Sequence, residues 1–268
     1  MSGGLFRSEF VKGLRTVASY GIGMVFYVWL FIWIYPSFAR ARALTSLLRS
    51  MPPGLLKVLG YTVGATRLSG FLGGEFYSLL YLLIFAVFAI FTATRLVAHL
   101  VDNGSMAYLL ATPVSRRAVA TTQVLVLMTD VLIIGALTAG GALLGVHWLL
   151  GRSDLNQRAF LEMNLVGTLL FAVVAAYSFL ASCAAPDERT ALGLSTVLTL
   201  LFYGLHVVGD VSSRAAFLAH ASLFSAFNSA ELIRGQGHFL RDALGLALAS
   251  VVLYAAGISA FRRRQLPL

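Results

Sequence analysis

The chain has 268 residues, of which 59% are hydrophobic and 12% charged, with a net charge of +9. Soluble domains run about 45–50% apolar and about 25% charged, so the composition excludes an ordinary water-soluble domain and points to lipid as the main solvent. The positive charge does not make a nucleic-acid surface, because its residues flank apolar runs: Arg7, Lys12 and Arg15 before the first, Arg262, Arg263 and Arg264 after the last.

In chain order, the first apolar run spans 17–35 and closes on Trp29, Trp33 and Tyr35, aromatics suited to a membrane interface. Ala39-Arg40-Ala41 and Ala41-Arg42-Ala43 offer small-residue cleavage sites. The run nevertheless exceeds the usual ~7–15 residues of a signal peptide and reads as a retained span. Residues 36–73 form a long connection in which Leu44, Leu47, Leu48, Met51 and Leu55 recur at helical spacing around Pro52-Pro53-Gly54. Two short surface helices or a capped loop would each satisfy it.

The second span is expected over 75–94, the third over 119–146, the fourth over 161–183, the fifth over 192–208 and the sixth over 243–261. A polar turn, Ala185-Pro186-Asp187-Glu188-Arg189, joins the fourth and fifth. Residues 215–233 are weakly hydrophobic enough to conceal a re-entrant helix. Continuous rather than alternating apolar runs disfavour a β-barrel. The fold class is therefore all-α: a single polytopic membrane domain of six transmembrane helices.

With both termini cytoplasmic, the inner and outer segments carry equal numbers of basic residues. The inner ones sit closer to span ends, where the positive-inside effect is read, and this favours cytoplasmic termini. The single cysteine, Cys183, excludes an internal disulfide and ends an apolar run, so it reads as packing.

Catalytic chemistry finds little footing. Gly193-Leu194-Ser195 is the nearest approach to a serine-protease setting, but His206 lies about 16 Å further along the same expected helix. His99, His147, His206, His220 and His238 are scattered without metal-ligand spacing. Neither lysine, Lys12 nor Lys57, stands in a Gly-x-x-x-x-Gly-Lys-Ser/Thr loop, so no nucleotide site is expected in this chain. Asp130 lies mid-way along the third span, where a charge costs a few kcal/mol; it reads as a paired structural group or a translocation residue. Glu75, Glu162 and Asp210 sit at expected span ends, within reach of water. Thr92, Thr94, Tyr177, Ser178, Ser182, Thr196 and Tyr203 are mildly polar candidates for a translocation lining, and equally for helix–helix glue.

The linker after the second span reads Asp102-Asn103-Gly104-Ser105-Met106-Ala107-Tyr108-Leu109-Leu110-Ala111-Thr112-Pro113-Val114-Ser115-Arg116-Arg117. Asp-Asn-Gly makes a turn, Ser105 is placed to cap a short helix, and Pro113 ends it. Met106, Leu109 and Leu110 fall on one face, which suits docking in a partner's groove or resting on the membrane surface.

Asp102 through Arg116 resembles the stretch after the second span of the ABC-2-type permease family, the membrane subunits of ATP-binding-cassette exporters. Ala107 stands where that family commonly has an acidic residue. Met51-Pro52-Pro53-Gly54-Leu55-Leu56 is similar to the family's first outer loop. His220-Ala221-Ser222-Leu223-Phe224 through Leu232-Ile233-Arg234-Gly235 is similar to the segment before its last span.

The resemblance implies a permease in the plasma membrane, two copies alike or different, and two separate ATPase chains that bind ATP and magnesium while this chain binds no cofactor. It implies that Ser105, Met106, Leu109, Leu110, Pro113 and Arg116 form a coupling helix against the ATPase. It further implies a basic amphipathic N-terminal helix, with Phe6, Phe10, Val11 and Leu14 set against Arg7 and Arg15. The alternative, on the residues alone, is a self-sufficient channel or proton-coupled carrier using Asp130.

Overall fold

The computed structural model describes residues 3–40, 67–110, 114–151, 155–211, 217–218 and 221–264. Among them the chain forms helices and no strand. Six helical stretches are long and apolar enough to cross a bilayer, which makes this a multi-pass membrane protein. The expected paired surface helices around Leu44 to Leu55 lie outside the described residues, as do Pro113 and His220.

The first helix, α1, runs Gly3–Arg40 without a break. At 1.5 Å per residue it is about 57 Å long, nearly twice a ~30 Å hydrocarbon core. The stretch around Phe6 and Arg7 is therefore continuous with the first span, and Phe6 stacks on Phe10 one turn along.

The second crossing begins earlier than expected, within the stretch read as a connection. It comprises α2 (Leu68–Phe71), a π-helical segment (Leu72–Leu80) and α3 (Tyr81–Leu96). The π segment places Phe76, Tyr77 and Tyr81 into one buried aromatic stack with Phe85. Val97, at φ −129° and ψ −66°, then breaks the helix before α4 (Ala98–Asp102) and α5 (Ser105–Leu110).

The third crossing is α6 (Arg116–Leu150), capped by Ser115, whose hydroxyl accepts the Ala118 N–H at 3.2 Å. Next come α7 (Gln157–Ala184), capped by Asn156, and α8 (Glu188–Val211). A 3-10 turn (Leu223–Ala226) and α9 (Ser229–Leu232) fold back onto the second crossing before α10 (Phe239–Arg263). There Ser229 Oγ donates to the Gly73 carbonyl at 2.9 Å and Phe227 stacks on Tyr81. Among the described residues of 215–233, the turns at 223–226 and 229–232 thus pack back onto the bundle.

The central helix is α7: 78% of its most apolar window is buried, against 17% for α8. It packs against α3 through Phe171 on Phe85, 4.5 Å apart, and against α10 where Phe179 lies over Gly257. A second seam joins α1 and α6, which run parallel. A methyl added at Gly21 would fall 2.6 Å from Leu137, one at Gly141 2.6 Å from Val25, and one at Gly145 2.7 Å from Trp29. The indole of Trp29 donates to the Gly141 carbonyl at 2.7 Å. Close backbone approach over small residues, completed by a hydrogen bond, is how helices associate where lipid removes the hydrophobic drive.

Candidate functional site

Helix ends converge on one face of the bundle. The guanidinium of Arg264, just past α10, donates to carbonyls at the end of α7, Ser182 at 3.2 Å and Pro186 at 3.1 Å. Arg116, opening α6, donates to the Arg264 carbonyl at 2.9 Å. His99 on α4 meets Glu188 in the first turn of α8 at 2.7 Å. Since α1 runs parallel to α6, the start of α1 and the end of α10 lie towards this same face. Asp187 caps α8, its carboxylate accepting the Thr190 N–H at 2.8 Å and the Thr190 hydroxyl at 3.1 Å. Those bonds hold its carboxyl below the usual aspartate range.

The short helix α5 stands on this face between the second and third crossings. Gly104 adopts φ 74°, a left-handed turn that glycine makes without strain, and Asn103 Oδ1 accepts the Ser105 N–H at 2.9 Å. The cap is thus Asn103 rather than Ser105. Met106 is 3% exposed and belongs to the main core, with Leu109 packed against that core. The Met106 side chain anchors α5 to the core. Arg116 is half-buried and donates to the end of α10, while its neighbour Arg117 is exposed. Leu110 lies on α5, with its side chain outside the described residues, and Ser105 is half-buried. Outward surface on this turn belongs to Asp102, Asn103 and Gly104.

Inside the bundle, Asp130 is fully buried and neither carboxylate oxygen has a hydrogen-bond partner. It lies fourteen residues, about 21 Å, along α6 from Arg116. Arg95 ends α3, which runs against α6. Side chains tilt towards the start of their own helix, so Arg95 leans into the bundle and Asp130 leans towards the face. They meet at Gly13 of α1, where an added methyl would be 3.2 Å from Arg95 Nη2 and 3.6 Å from Asp130 Oδ2. Arg95 Nη1 also donates to Thr16 at 3.1 Å. Gln123, two turns before Asp130 on α6, is likewise buried with both amide atoms unpartnered. The importance of Gly13, Arg95 and Gln123 was not read from the sequence; an arginine at an expected span end was the available signal.

The remaining candidates sort by their partners. Ser178 and Ser182 bond carbonyls one turn back on their own helix. Tyr177 bonds Thr199, joining α7 to α8. These are bundle contacts rather than a lining. Thr196 is exposed on α8, and Tyr203 is half-buried. Ser195 is buried and bonded to the Ala191 carbonyl, while His206 pairs with Asp210 at 3.6 Å, so no nucleophile–base pair forms there. Glu162 pairs with Arg158 at 2.9 Å. Glu75, expected in water at a span end, is partly buried within the π segment, and its Oε1 lacks a partner. Among the described residues no cluster of three metal-ligating side chains occurs.

No family model matches the sequence, and no curated protein matches it.

Proposed function

We propose that this chain is the membrane subunit of an ATP-driven exporter of the ABC-2 type, working as a pair over two separate ATPase chains. The observation that supports this reading is α5. It is a short helix between the second and third crossings, on the face where four other helix ends meet, with its apolar residue Met106 locked into the core. A helix attached in this way is a lever. A partner that pushes on the outward turn at Asp102 to Gly104 moves α3 and α6 together, and each nucleotide state then biases one of two packings.

In this reading the ATPase contacts Asp102, Asn103 and Arg117, while Met106 and Leu109 transmit the force. The start of α1 projects beyond the hydrocarbon on the cytoplasmic side, with Arg7 and Arg15 at the level of the lipid headgroups. The test is co-purification from native membranes. A chain bearing the phosphate-binding loop is expected at a fixed ratio to this one, and an Asp102→Lys, Arg117→Glu double variant is expected to lose it while keeping the bundle folded. Purified chain that alone moves a solute down an ion gradient in liposomes would overturn the reading.

One observation favours a second reading. Asp130 is fully buried with both oxygens unpartnered, as a proton-carrying residue of a self-sufficient carrier would be. That reading expects proton-coupled flux in liposomes without any ATPase, abolished in Asp130→Asn.

A further inference from the structure

A cleft of about 330 Å³ lies between α1, α3 and the starts of α4 and α8, lined by Thr16, Tyr20, Phe91, Thr92, Arg95 and the His99–Glu188 pair. We propose that this cleft binds the acidic headgroup of a membrane lipid, with Arg95 as its cation and Phe91 beside its hydrocarbon chain. The inference is independent of the ATPase and requires only that the chain sits in a bilayer.

Charge is the first ground. The Arg95 guanidinium has five N–H donors, yet among the described residues its one hydrogen bond goes to Thr16. Asp130 lies nearby on the buried side but bonds to nothing. Glu188, the other carboxylate at the cleft, is engaged by His99 at 2.7 Å. A guanidinium held at the edge of the hydrocarbon with no bonded counter-anion is costly, and an acidic headgroup supplies that anion.

Shape is the second ground. Phe91 sits one turn before Arg95 on the same side of α3, and its ring is 55% exposed. The cleft therefore offers an apolar wall on the bilayer side and polar groups towards the face of helix ends, the order in which a lipid presents its tail and its head. Thr92 is a third ground: it lines the cleft, is 3% exposed, and its Oγ1 has no partner. A phosphate or carboxylate oxygen would satisfy it after rotation about one side-chain bond. A neutral solute would leave the remaining guanidinium donors without a bonded anion.

The experiment is native mass spectrometry of the full chain with dioleoylphosphatidylglycerol, dioleoylphosphatidylcholine or inorganic phosphate. The anionic lipid is expected to be retained about fivefold over the zwitterionic one, the preference that a single basic group gives near a membrane surface. Arg95→Gln is expected to erase the preference and Arg95→Lys to keep most of it. Because Arg95→Gln removes the charge beside Asp130 and could unfold the bundle, Phe91→Trp serves as a second variant. It crowds the mouth from an exposed position and is expected to reduce retention of the anionic lipid. Equal retention of both lipids by the natural chain overturns the proposal. So does unchanged retention of the anionic lipid in Phe91→Trp, and so does displacement of the lipid by inorganic phosphate, which would make the cleft a site for a soluble anion.

Discussion

Two residues at the heart of the bundle test whether packing or polar bonding holds it. Gly135 faces Thr168 of α7 so closely that an added methyl would lie 2.8 Å from the threonine Cγ2, and nearer still to its hydroxyl. Gly135→Val must therefore push α6 from α7, and overpacking of this kind costs about 1–3 kcal/mol. Asn164, one turn before Thr168, accepts the Tyr77 hydroxyl at 3.0 Å and donates to the Phe160 carbonyl at 2.9 Å. In water, stranding a buried hydroxyl would cost as much as the overpacking. In a membrane the disordered chain also finds partners, and such bonds average about 0.6 kcal/mol. Unfolding by SDS titration is thus expected to show a larger loss for Gly135→Val than for Asn164→Leu. The reverse order would mean that polar contacts dominate the central helix. Neither residue was singled out by sequence reading, because an isolated glycine or asparagine in an apolar run does not reveal what lies opposite.

Element by element, the sequence was legible where length and apolarity alone decide, and opaque where neighbours decide. All six crossings stand where continuous apolar runs required them. Their ends do not: α1 begins at Gly3 rather than Val17, and the second crossing begins at Leu68 rather than Glu75. Hydropathy marks the part of a helix that lipid covers, while the helix itself continues into the interface. The π segment left no signature in the sequence, since nothing in Leu72–Leu80 distinguishes a π-helical turn from an α-helical one.

The short helix after the second crossing was found from its turn and its apolar spacing. Which way its apolar face turns was not legible, because such a face suits a partner's groove and the chain's own core equally well. The anchoring of Met106 in the core is testable. Met106→Asp places a charge in the core and is expected to free α5, raising hydrogen exchange of the Ala107 amide by at least about tenfold, the equivalent of ~1.4 kcal/mol of lost protection. Unchanged exchange would show that Met106 is not the anchor.

The start of α8 carries a pH-dependent cap. The carboxyl of Asp187 is held low by the Thr190 amide and hydroxyl, so its contribution is complete above the ordinary aspartate pKa near ~3.9. The contribution is lost as the pH falls through the lowered, folded value. Protection of the Thr190 amide, corrected for intrinsic exchange, should persist to a pH below that range and then collapse. Asp187→Asn retains an acceptor oxygen and should remove that pH dependence; a collapse at the same pH in the variant would assign it elsewhere.

At the scale of the whole molecule, charge gives an expected orientation once the faces are known. The bonds of Arg264 to the end of α7, of Arg116 to Arg264 and of His99 to Glu188 place the starts of α6 and α8 with the ends of α7 and α10. This face gathers Arg116, Arg117, Arg189, Arg262, Arg263 and Arg264 close to span ends. The opposite face, among the described residues, has Arg40, Arg67, Arg158, Arg234 and Arg241. Counted along the sequence the two sides tie, but the basic groups of the first face sit close to span ends, where insertion reads them. The cytoplasm is therefore expected beneath that face. Cys183 is buried at the end of α7, so a Cys183→Ala chain gives a background without thiols. In intact cells, Arg117→Cys and Arg262→Cys should resist a membrane-impermeant maleimide until the membrane is opened, whereas Gln157→Cys should react at once. Labelling of Arg117→Cys from outside would invert the molecule, setting α5 beyond the reach of any cytoplasmic ATPase and removing the lever on which the exporter reading depends.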